Sequence, residues 1–273
     1  MIMSRREFPA ESCVVAEVRP SPNHGERKGN QRPDMILLHY TGMPDARGAL
    51  ERLCSPGSEV SAHYLVLEDG RVIQMVQESR RAWHAGVAFW AGETDINSCS
   101  IGIEVANPGH DYSYPDFPPR QIAAVTALCR GIQTRNTIAP VRVLAHSDVA
   151  PSRKQDPGEK FPWRTLWDSG VGHWVTPAPI TGEGAVISLG DRRDAVAEMQ
   201  DALAKYGYGI AVNGTFDSAT HDVVNAFQRH FRPERVDGVS DHSTRITLRD
   251  LIAQRGRVRT IAARARDFAR LAS

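Results

Sequence analysis

Two short apolar runs each end in a histidine, and this feature constrains the fold more than any other. Residues 35–38 are wholly apolar, as a buried strand requires, and His39 follows them directly. His146 follows the run 141–145 in the same way. Because open sheets present the residues at their strand ends to a cleft formed by loops, the pattern predicts that both histidines reach such a cleft.

The segment after His39 predicts a helix and then a β-hairpin. Asp45 is placed to cap a helix that ends at Leu53. The apolar runs 63–67 and 71–76 flank an Asp-Gly pair, which is a strong hairpin signal. We therefore expect the sheet to include an antiparallel pair of strands.

A further strand and a helix complete the pattern. Every second residue of 100–105 is apolar, which predicts a strand with one face against the core and Glu104 on the other face. Pro118 and Pro119 begin a helix whose apolar residues recur at helical spacing as far as Ile132, so this helix covers one side of the sheet. Strands and helices interleaved in this order predict the α/β class, with a mixed central sheet flanked by helices.

The length of 273 residues and the changes of composition along the chain predict two unequal domains. We expect an irregular N-terminal leader (1–33), an α/β domain (34–174), a linker rich in Pro, Gly and Thr (175–187), a small three-helix domain (188–253) and a basic amphipathic helical tail (254–273). Asp191 or Asp194 is expected to cap the first helix of the small domain.

Charge and hydropathy exclude several kinds of partner. The formal net charge is +1, so no strong field marks nucleic acid or a membrane surface as the main partner. No apolar run approaches the roughly 20 residues that a transmembrane segment needs. The basic start at 1–6 is followed by Glu7, Pro9 and Glu11, which interrupt the apolar core of a secretory signal. Four widely spaced cysteines fit a reducing compartment, so we expect a cytoplasmic protein.

Five polar side chains form a candidate hydrolytic set: His39, Glu104, His146, Lys154 and Asp156. Hydrolysis at zinc needs a few nitrogen, sulfur or oxygen ligands, one open position for water and a carboxylate that moves protons. Lys154 and Asp156 are two residues apart, so their side chains point the same way in an extended loop. The set contains no compact HExxH motif, and spacing alone also allows structural histidines, a surface carboxylate and a turn at Asp156.

Five motifs occur together and in order between residues 35 and 167. They are Leu-Leu-His-Tyr-Thr at 37–41, Ser-Ala-His-Tyr at 61–64, Trp-His-Ala-Gly at 83–86, Ile-Gly-Ile-Glu at 101–104, and a segment at 146–163 that begins His-Ser-Asp and ends Phe-Pro-Trp. In these motifs the chain resembles the N-acetylmuramoyl-L-alanine amidase 2 family, which is related to amidase-type phage lysozymes and to the peptidoglycan recognition proteins. The resemblance implies hydrolysis of the bond between the lactyl group of muramic acid and L-alanine, in peptidoglycan or in anhydro-muropeptides.

The resemblance also implies a role for each member of the candidate set. It implies a Zn²⁺ ion bound by His39, His146 and Asp156. Glu104 matches the catalytic glutamate, which takes a proton from the attacking water, and Lys154 matches the lysine that stabilises the oxyanion. A non-catalytic peptidoglycan-recognition protein is the alternative, but such binders typically lack a metal ligand. A glycosidase would need a second carboxylate in a matching motif, and the sequence has none.

Three further residues are candidates for contact with the substrate. Tyr40 lies in the first motif, and His84 lies beside Trp83 in a turn that the resemblance places at the cleft wall. Arg71 follows the Asp-Gly turn, where a contact with a stem-peptide carboxylate and a plain surface position are equally compatible with the sequence. His63 is expected to be a core histidine or a support for a metal ligand rather than a ligand itself.

A second set of motifs lies within residues 188–252. These motifs are Leu-Gly-Asp at 189–191, Val-Asn-Gly-Thr-Phe-Asp at 212–217 and Asp-Gly-Val at 237–239. They resemble the peptidoglycan-binding domain 1 family, a three-helix module, which implies binding to the wall glycan without assigning it to single residues. Such a module favours the periplasm or cell envelope, whereas the N-terminal sequence favours the cytoplasm. We expect a monomer that acts on peptidoglycan or muropeptides in the cytoplasm.

Overall fold

The computed structural model describes residues 8–30, 32–182 and 184–255. The chain forms two compact units, of which the first ends at His173 and the second begins at Trp174. Within the described ranges, no helix is both long enough and apolar enough to cross a membrane.

A six-stranded mixed sheet forms the centre of the first unit. The strands of this unit are β1 (Val15–Val18), β2 (His24–Glu26), β3 (Met35–Tyr40), β4 (Tyr64–Val66), β5 (Val72–Gln74), β6 (Arg80–Ala82), β7 (Ser100–Val105) and β8 (Val143–Ala145). Six of them lie in the order β1-β5-β4-β7-β3-β8, and β2 and β6 form a separate antiparallel pair. β3 is parallel to both of its neighbours, whereas β4 and β5 form the predicted hairpin. The predicted α/β class with a mixed sheet is confirmed.

Helices flank this sheet. They are α1 (Ala46–Leu53), α2 (Ile96–Cys99), α3 (Pro119–Asn136), α4 (His146–Val149) and α5 (Trp163–Asp168). α1 packs on the β4–β5 hairpin through Leu50 and Leu53, which share a buried cluster with Leu65 and Ile73. Asp45 caps α1 as predicted, because its carboxylate accepts a backbone N–H of the first turn at 2.7 Å.

α3 packs against the sheet through the alternate residues of β4. Successive strand residues face opposite ways, so Tyr64 points away from the side on which Leu65 meets α1. The Tyr64 hydroxyl donates to Glu78 at 2.7 Å, and Asn136 at the end of α3 donates to the same carboxylate at 2.8 Å. α3 therefore covers one face of the sheet and leaves the other to α1.

The prediction of an irregular leader over 1–33 is wrong for its middle part. β1 adds to the edge of the sheet beside β5, in parallel, and β2 pairs with β6. Arg27 is buried and donates to the backbone oxygens of Glu78 (2.7 Å), Ser98 (2.9 Å) and Ser100 (3.0 Å). Both strands are short and contain polar residues, so neither has an apolar pattern that the sequence could reveal. β1 is a strand because it pairs with the edge of β5.

The second unit is helical, as predicted. Its helices are α6 (Asp194–Tyr206), α7 (Ser218–Phe231) and α8 (242–255). The predicted cap of α6 is wrong, because Arg193 occupies the cap position and Asp194 is the first helical residue, where its charge suits the helix dipole. Asp191 instead accepts the backbone N–H of Ser188 at 3.0 Å. Residues 256–273, most of the predicted tail, lie outside the described residues.

The predicted linker (175–187) packs on the second unit at two points. The Ala178 N–H donates to the Thr247 hydroxyl at 3.1 Å, and Ile187 is buried and pairs with Ser240 in both directions. These two positions of the predicted linker are therefore attached to the second unit. The Pro- and Gly-rich composition limits regular structure but does not prevent docking of single residues.

The same local arrangement occurs twice in the second unit. The buried Gln200 side chain accepts the N–H groups of Asn213 (3.0 Å) and Gly214 (2.9 Å) and donates to Thr215 O (3.0 Å). Gln228 makes the matching three bonds, to Asp237 N (3.0 Å), Gly238 N (2.9 Å) and Val239 O (2.9 Å). Each helix thus uses one buried amide to fix the turn that follows it.

Candidate active site

The strand order brings the two predicted histidines together. β3 and β8 are parallel neighbours, so their carboxyl ends meet at one edge of the sheet. His39 lies near the end of β3, and His146 follows β8 directly as the first residue of α4. Glu104 on β7 pairs with His39 across the strands, so the two side chains lie next to each other on the same face.

A tight triplet of donor atoms results. His39 Nδ1 lies 2.9 Å from His146 Nδ1 and 3.1 Å from Asp156 Oδ2, and His146 Nδ1 lies 3.0 Å from the same oxygen. All three residues are buried. Ligands at about 2.0–2.1 Å from a tetrahedral zinc would be about 3.3 Å apart, which is close to these separations. Two imidazole nitrogens and a carboxylate oxygen are also the ligand types that zinc prefers, so the residues fit the ion.

A hydrogen bond on the side of the His146 ring that faces away from the triplet determines which ring nitrogen carries the proton. Its Nε2 lies 3.0 Å from the carbonyl oxygen of Ala85, which can only accept. Nε2 therefore donates, and Nδ1 presents a lone pair to Asp156 and His39. A metal ion resolves the repulsion between such converging lone pairs.

The protonation states also suit metal binding. Burial, reinforced by the neighbouring His146, lowers the pKa of His39 to about 4, although Asp156 opposes the shift. Burial alone would raise the pKa of Asp156, but the two imidazoles outweigh it and hold the pKa well below its ordinary value. Near neutral pH, His39 is thus neutral and Asp156 is ionised, as metal ligands must be.

Glu104 has the properties of a group that exchanges protons. Its Oε2 is buried and has no hydrogen-bond partner among the described residues. Burial raises the pKa of Glu104 well above its ordinary value, the charge of Asp156 raises it further, and Lys154 opposes the shift. The surface carboxylate that the sequence also allowed is therefore not what the structure shows. A partly buried acid with a perturbed pKa beside a triplet of potential metal ligands is typical of a catalytic site.

These groups line one cleft of about 300 Å³. The predicted residues that line it are His39, His84, Glu104, His146, Lys154 and Asp156. Sequence reasoning missed Arg52, whose side chain is exposed at the cleft. Ala49, Arg52 and Leu53 all line the cleft from one face of α1, so the i, i+3, i+4 spacing of the predicted helix could have indicated it.

Two predicted substrate contacts lie elsewhere. Tyr40 points away from His39 because neighbouring strand residues alternate, and its hydroxyl bonds His110 Nδ1 at 3.1 Å. Arg71 is exposed and bonds Asp69 at 2.7 Å, in a separate hollow on the other side of α1. The structure brings neither residue to the cleft.

His63 is a core histidine, as predicted. It is fully buried, its Nδ1 accepts the Gly102 N–H at 3.0 Å, and its Nε2 lies 3.0 Å from Arg80 O. It is therefore not part of the donor triplet. His84, in contrast, lies in direct contact with the triplet, since its Nδ1 is 3.0 Å from His39 Nε2.

The first unit thus brings three potential metal ligands and a partly buried glutamate together in one cleft, an arrangement typical of a metal-dependent hydrolase. A family model described as N-acetylmuramoyl-L-alanine amidase matches residues 29–159, and one described as a peptidoglycan binding domain matches residues 192–248. The N-acetylmuramoyl-L-alanine amidase AmiD of Escherichia coli K12 is 35% identical over 237 residues, which cover 82% of this chain and 84% of AmiD. The 1,6-anhydro-N-acetylmuramyl-L-alanine amidase AmpD of the same strain is 34% identical over 168 residues, 55% of this chain and 89% of AmpD.

Solved structures agree with these matches. The complex of E. coli AmiD with the substrate anhydro-N-acetylmuramic acid-L-Ala-D-gamma-Glu-L-Lys is similar with a TM-score of 0.72 at 32% identity, and the match covers 85% of this chain and 98% of that one. AmpDh3 of Pseudomonas aeruginosa is similar with a TM-score of 0.67 at 31% identity, over 86% and 95% of the two chains. The chain belongs to the N-acetylmuramoyl-L-alanine amidase family. The prediction of an amidase, rather than a non-catalytic recognition protein, is confirmed.

Proposed function

We propose that this chain is a zinc-dependent amidase that cleaves the bond between the lactyl group of muramic acid and L-alanine. The observation that carries the proposal is the convergence of His39, His146 and Asp156 to mutual distances of 2.9–3.1 Å beside Glu104. A bound Zn²⁺ ion would supply Lewis acidity and lower the pKa of a water molecule. His39, His146 and Asp156 would bind it.

Glu104 is the proposed general base and acid. Its unpartnered Oε2 takes the proton of the attacking water, and the resulting carboxylic acid then protonates the leaving nitrogen of L-alanine. A raised pKa suits both steps, because it makes Glu104 a stronger base than an ordinary carboxylate.

Lys154 is the proposed oxyanion-stabilising residue. It lines the cleft together with Glu104 and Asp156, and its positive charge acts on Glu104 through space. A cation at this position stabilises the negative charge that develops on the carbonyl oxygen, by roughly 3 kcal/mol for a well-placed donor.

The substrate class rests on the relatives and on the cleft. AmiD is solved with a muramyl peptide, in which γ-linked glutamate keeps a free α-carboxylate. Arg52 is exposed in the cleft and has no ion pair among the described residues, so we infer that it contacts a stem-peptide carboxylate. This is the role that the sequence offered to Arg71.

The second unit is proposed to bind peptidoglycan. The family match over 192–248 and the three helices support this assignment. Full-length Glu104→Gln protein, which should not degrade the polymer, tests it by cosedimentation with intact sacculi. The protein should appear in the pellet, and its full recovery in the supernatant would refute binding.

The cytoplasmic location and the monomeric state remain predictions. All four cysteines are free thiols, as a reducing compartment requires. Cell fractionation tests the location, and recovery in the periplasm or envelope would refute it. Light scattering of the purified chain tests the monomer against its mass of 30.1 kDa.

The activity test uses intact sacculi and soluble anhydro-muropeptides, each with and without a chelator. Mass spectrometry should detect free peptides that begin with L-alanine, and the chelator should abolish them. Release that continues at the full rate in chelator, with zinc loss verified by elemental analysis, would refute the metal requirement. Comparison of the two substrates also shows which form of muramic acid is preferred.

A further inference from the structure

A chain of hydrogen bonds leads from the metal-binding triplet to the backbone of α2. His39 Nε2 lies 3.0 Å from His84 Nδ1, and His84 Nε2 lies 3.3 Å from the Ser100 hydroxyl. The Ser100 hydroxyl lies 2.6 Å from the carbonyl oxygen of Ile96. The series of hydrogen bonds thus ends at a carbonyl oxygen, which can only accept a hydrogen bond.

This end point determines the direction of every bond in the chain. Ser100 must donate to Ile96, so its oxygen is free to accept from His84 Nε2–H. His84 Nδ1 then carries a lone pair and accepts from His39 Nε2–H. His39 Nδ1 is consequently unprotonated, and this is the atom that faces Asp156 and His146.

The surroundings of the His84 ring are shaped for this position. A Cβ atom on Gly102 would lie 2.5 Å from His84 Cγ, so only glycine leaves space for the ring across β7. Asn97 Oδ1 accepts the backbone N–H groups of His84 (3.0 Å) and Ala85 (2.9 Å), which fixes the main chain at the same place. Both the ring and its backbone are therefore fixed before any ligand binds.

We propose that His84 is a positioning residue that orients His39 for metal binding, by accepting a hydrogen bond from its Nε2–H. The inference rests on the proposed zinc function. It differs from the cleft-wall role suggested by the resemblance, because a cleft-wall residue would act on the substrate and not on the metal. Partners that orient ligand histidines contribute about 10- to 100-fold to metal affinity.

The test compares two substitutions of the same residue. His84→Leu keeps an apolar volume but has no acceptor, whereas His84→Asn can place its amide oxygen near the position of Nδ1. Zinc affinity is measured by competition with a chromophoric chelator, independently of activity, and folding is checked by circular dichroism. His84→Leu should weaken zinc binding about 10- to 100-fold, and His84→Asn should remain within about threefold of the wild type. His242→Leu, at an exposed histidine of the second unit, is the matched control and should not change the affinity.

Gly102→Ala is a second route to the same result. It keeps the imidazole but displaces the ring, so it should also weaken zinc binding while Michaelis constants for zinc-saturated enzyme stay unchanged. Wild-type zinc affinity in folded His84→Leu protein would overturn the inference, and so would equal weakening in the Leu and Asn variants. A raised KM with unchanged zinc affinity would assign His84 to the cleft wall instead. A wild-type chain that binds no zinc would overturn the proposed function together with this inference.

Discussion

Buried polar side chains serve different purposes in the two units. In the second unit, Gln200 and Gln228 are fully buried, and each side-chain amide satisfies backbone groups of the following turn. In the first unit, His39, His146 and Asp156 are almost as deeply buried, yet their donor atoms face one another. Gln200 and Gln228 thus stabilise the fold of the second unit, whereas the three residues of the first unit are proposed to bind an ion.

The difference therefore lies in hydrogen-bonding capacity rather than in burial. A buried polar group whose partners are all supplied by the chain stabilises the fold. Converging lone pairs, or an atom without a hydrogen-bond partner such as Glu104 Oε2, instead indicate a site that binds an ion, a proton or a substrate. Substitutions in the candidate site of the first unit should therefore lower activity. Substitutions of the buried glutamines of the second unit should lower stability and leave activity unchanged.

The largest effect is expected for Asp156→Ala. Loss of one of three ligands should abolish stoichiometric zinc binding. Activity should then fall by about 10⁴-fold or more, which is the largest loss expected when a general base is removed. Elemental analysis and product release from muropeptides measure the two effects. Retention of one zinc per chain would show that Asp156 is not a ligand.

Glu104→Gln should lower kcat by about 10²- to 10⁴-fold, because the amide can neither accept nor return the proton. Zinc content, and the thermal stability of the zinc-loaded protein, should stay at the wild-type level, since Glu104 Oε2 makes no hydrogen bond to the described residues. The measurement is turnover at saturating substrate, with zinc content as the control. Near-normal turnover would remove Glu104 from the mechanism.

Gln200→Leu should lower the free energy of unfolding of the second unit by about 3 kcal/mol. The substitution removes the hydrogen bonds to the N–H groups of Asn213 and Gly214 and to the carbonyl oxygen of Thr215, and a typical hydrogen bond contributes about 0.5–1.5 kcal/mol. Gln228→Leu should lower the stability by a similar amount. Gln133→Leu is the control and should change the stability little, because the Gln133 side chain makes a single long hydrogen bond, to Ile138 O at 3.5 Å. Turnover of soluble muropeptides should be unaffected. A loss of activity without a loss of stability would contradict the comparison.

Arg52→Ala should raise KM about 10-fold for muropeptides with a free stem-peptide carboxylate, as expected for a lost charge-assisted hydrogen bond. The effect should vanish when that carboxylate is amidated. Arg71→Ala, at the hairpin turn, is the control and should leave both kcat and KM unchanged. Equal effects of the two substitutions would refute the reassignment from Arg71 to Arg52.

The smallest effect is a pH dependence in zinc-free protein. The pKa of Glu104 is raised in the folded chain, so the folded state keeps a proton that the unfolded state releases above its ordinary pKa of about 4.3. Stability from this group is complete below that pH and is lost as the pH rises through the raised pKa. Glu104→Gln removes this loss, so its stability relative to the wild type should increase from pH 5 to pH 9 in denaturant unfolding. Parallel pH profiles would contradict a raised pKa.

Local sequence pattern sufficed where a strand carries its own signal. The apolar run before His39 predicts β3, and the Asp-Gly pair predicts the β4–β5 hairpin. β1 could not be found in this way, because it is a short edge strand whose pairing depends on the exposed edge of β5. The alternation that predicts the orientation of Glu104 also predicts that Tyr40 faces away from the cleft, as the structure shows.

The residues of the donor triplet were predictable from the sequence, but the residues that contact and support them were not. His39 and His146 follow from strand ends, the two-residue spacing from Lys154 made Asp156 a candidate, and the motif resemblance implied its role. The contact between His84 and His39 depends on the space above Gly102, which only the packed strands create. Arg52 could not be predicted without knowing which face of α1 borders the cleft.

Three side chains that are distant in the sequence are proposed to bind one zinc ion. A crystal structure of zinc-loaded protein, with anomalous data collected at the zinc edge, tests this binding. A single strong peak is expected about 2.0–2.2 Å from His39 Nδ1, His146 Nδ1 and one oxygen of Asp156. A peak bound by other residues, or no peak at this triplet in protein that turns over muropeptides, would contradict it.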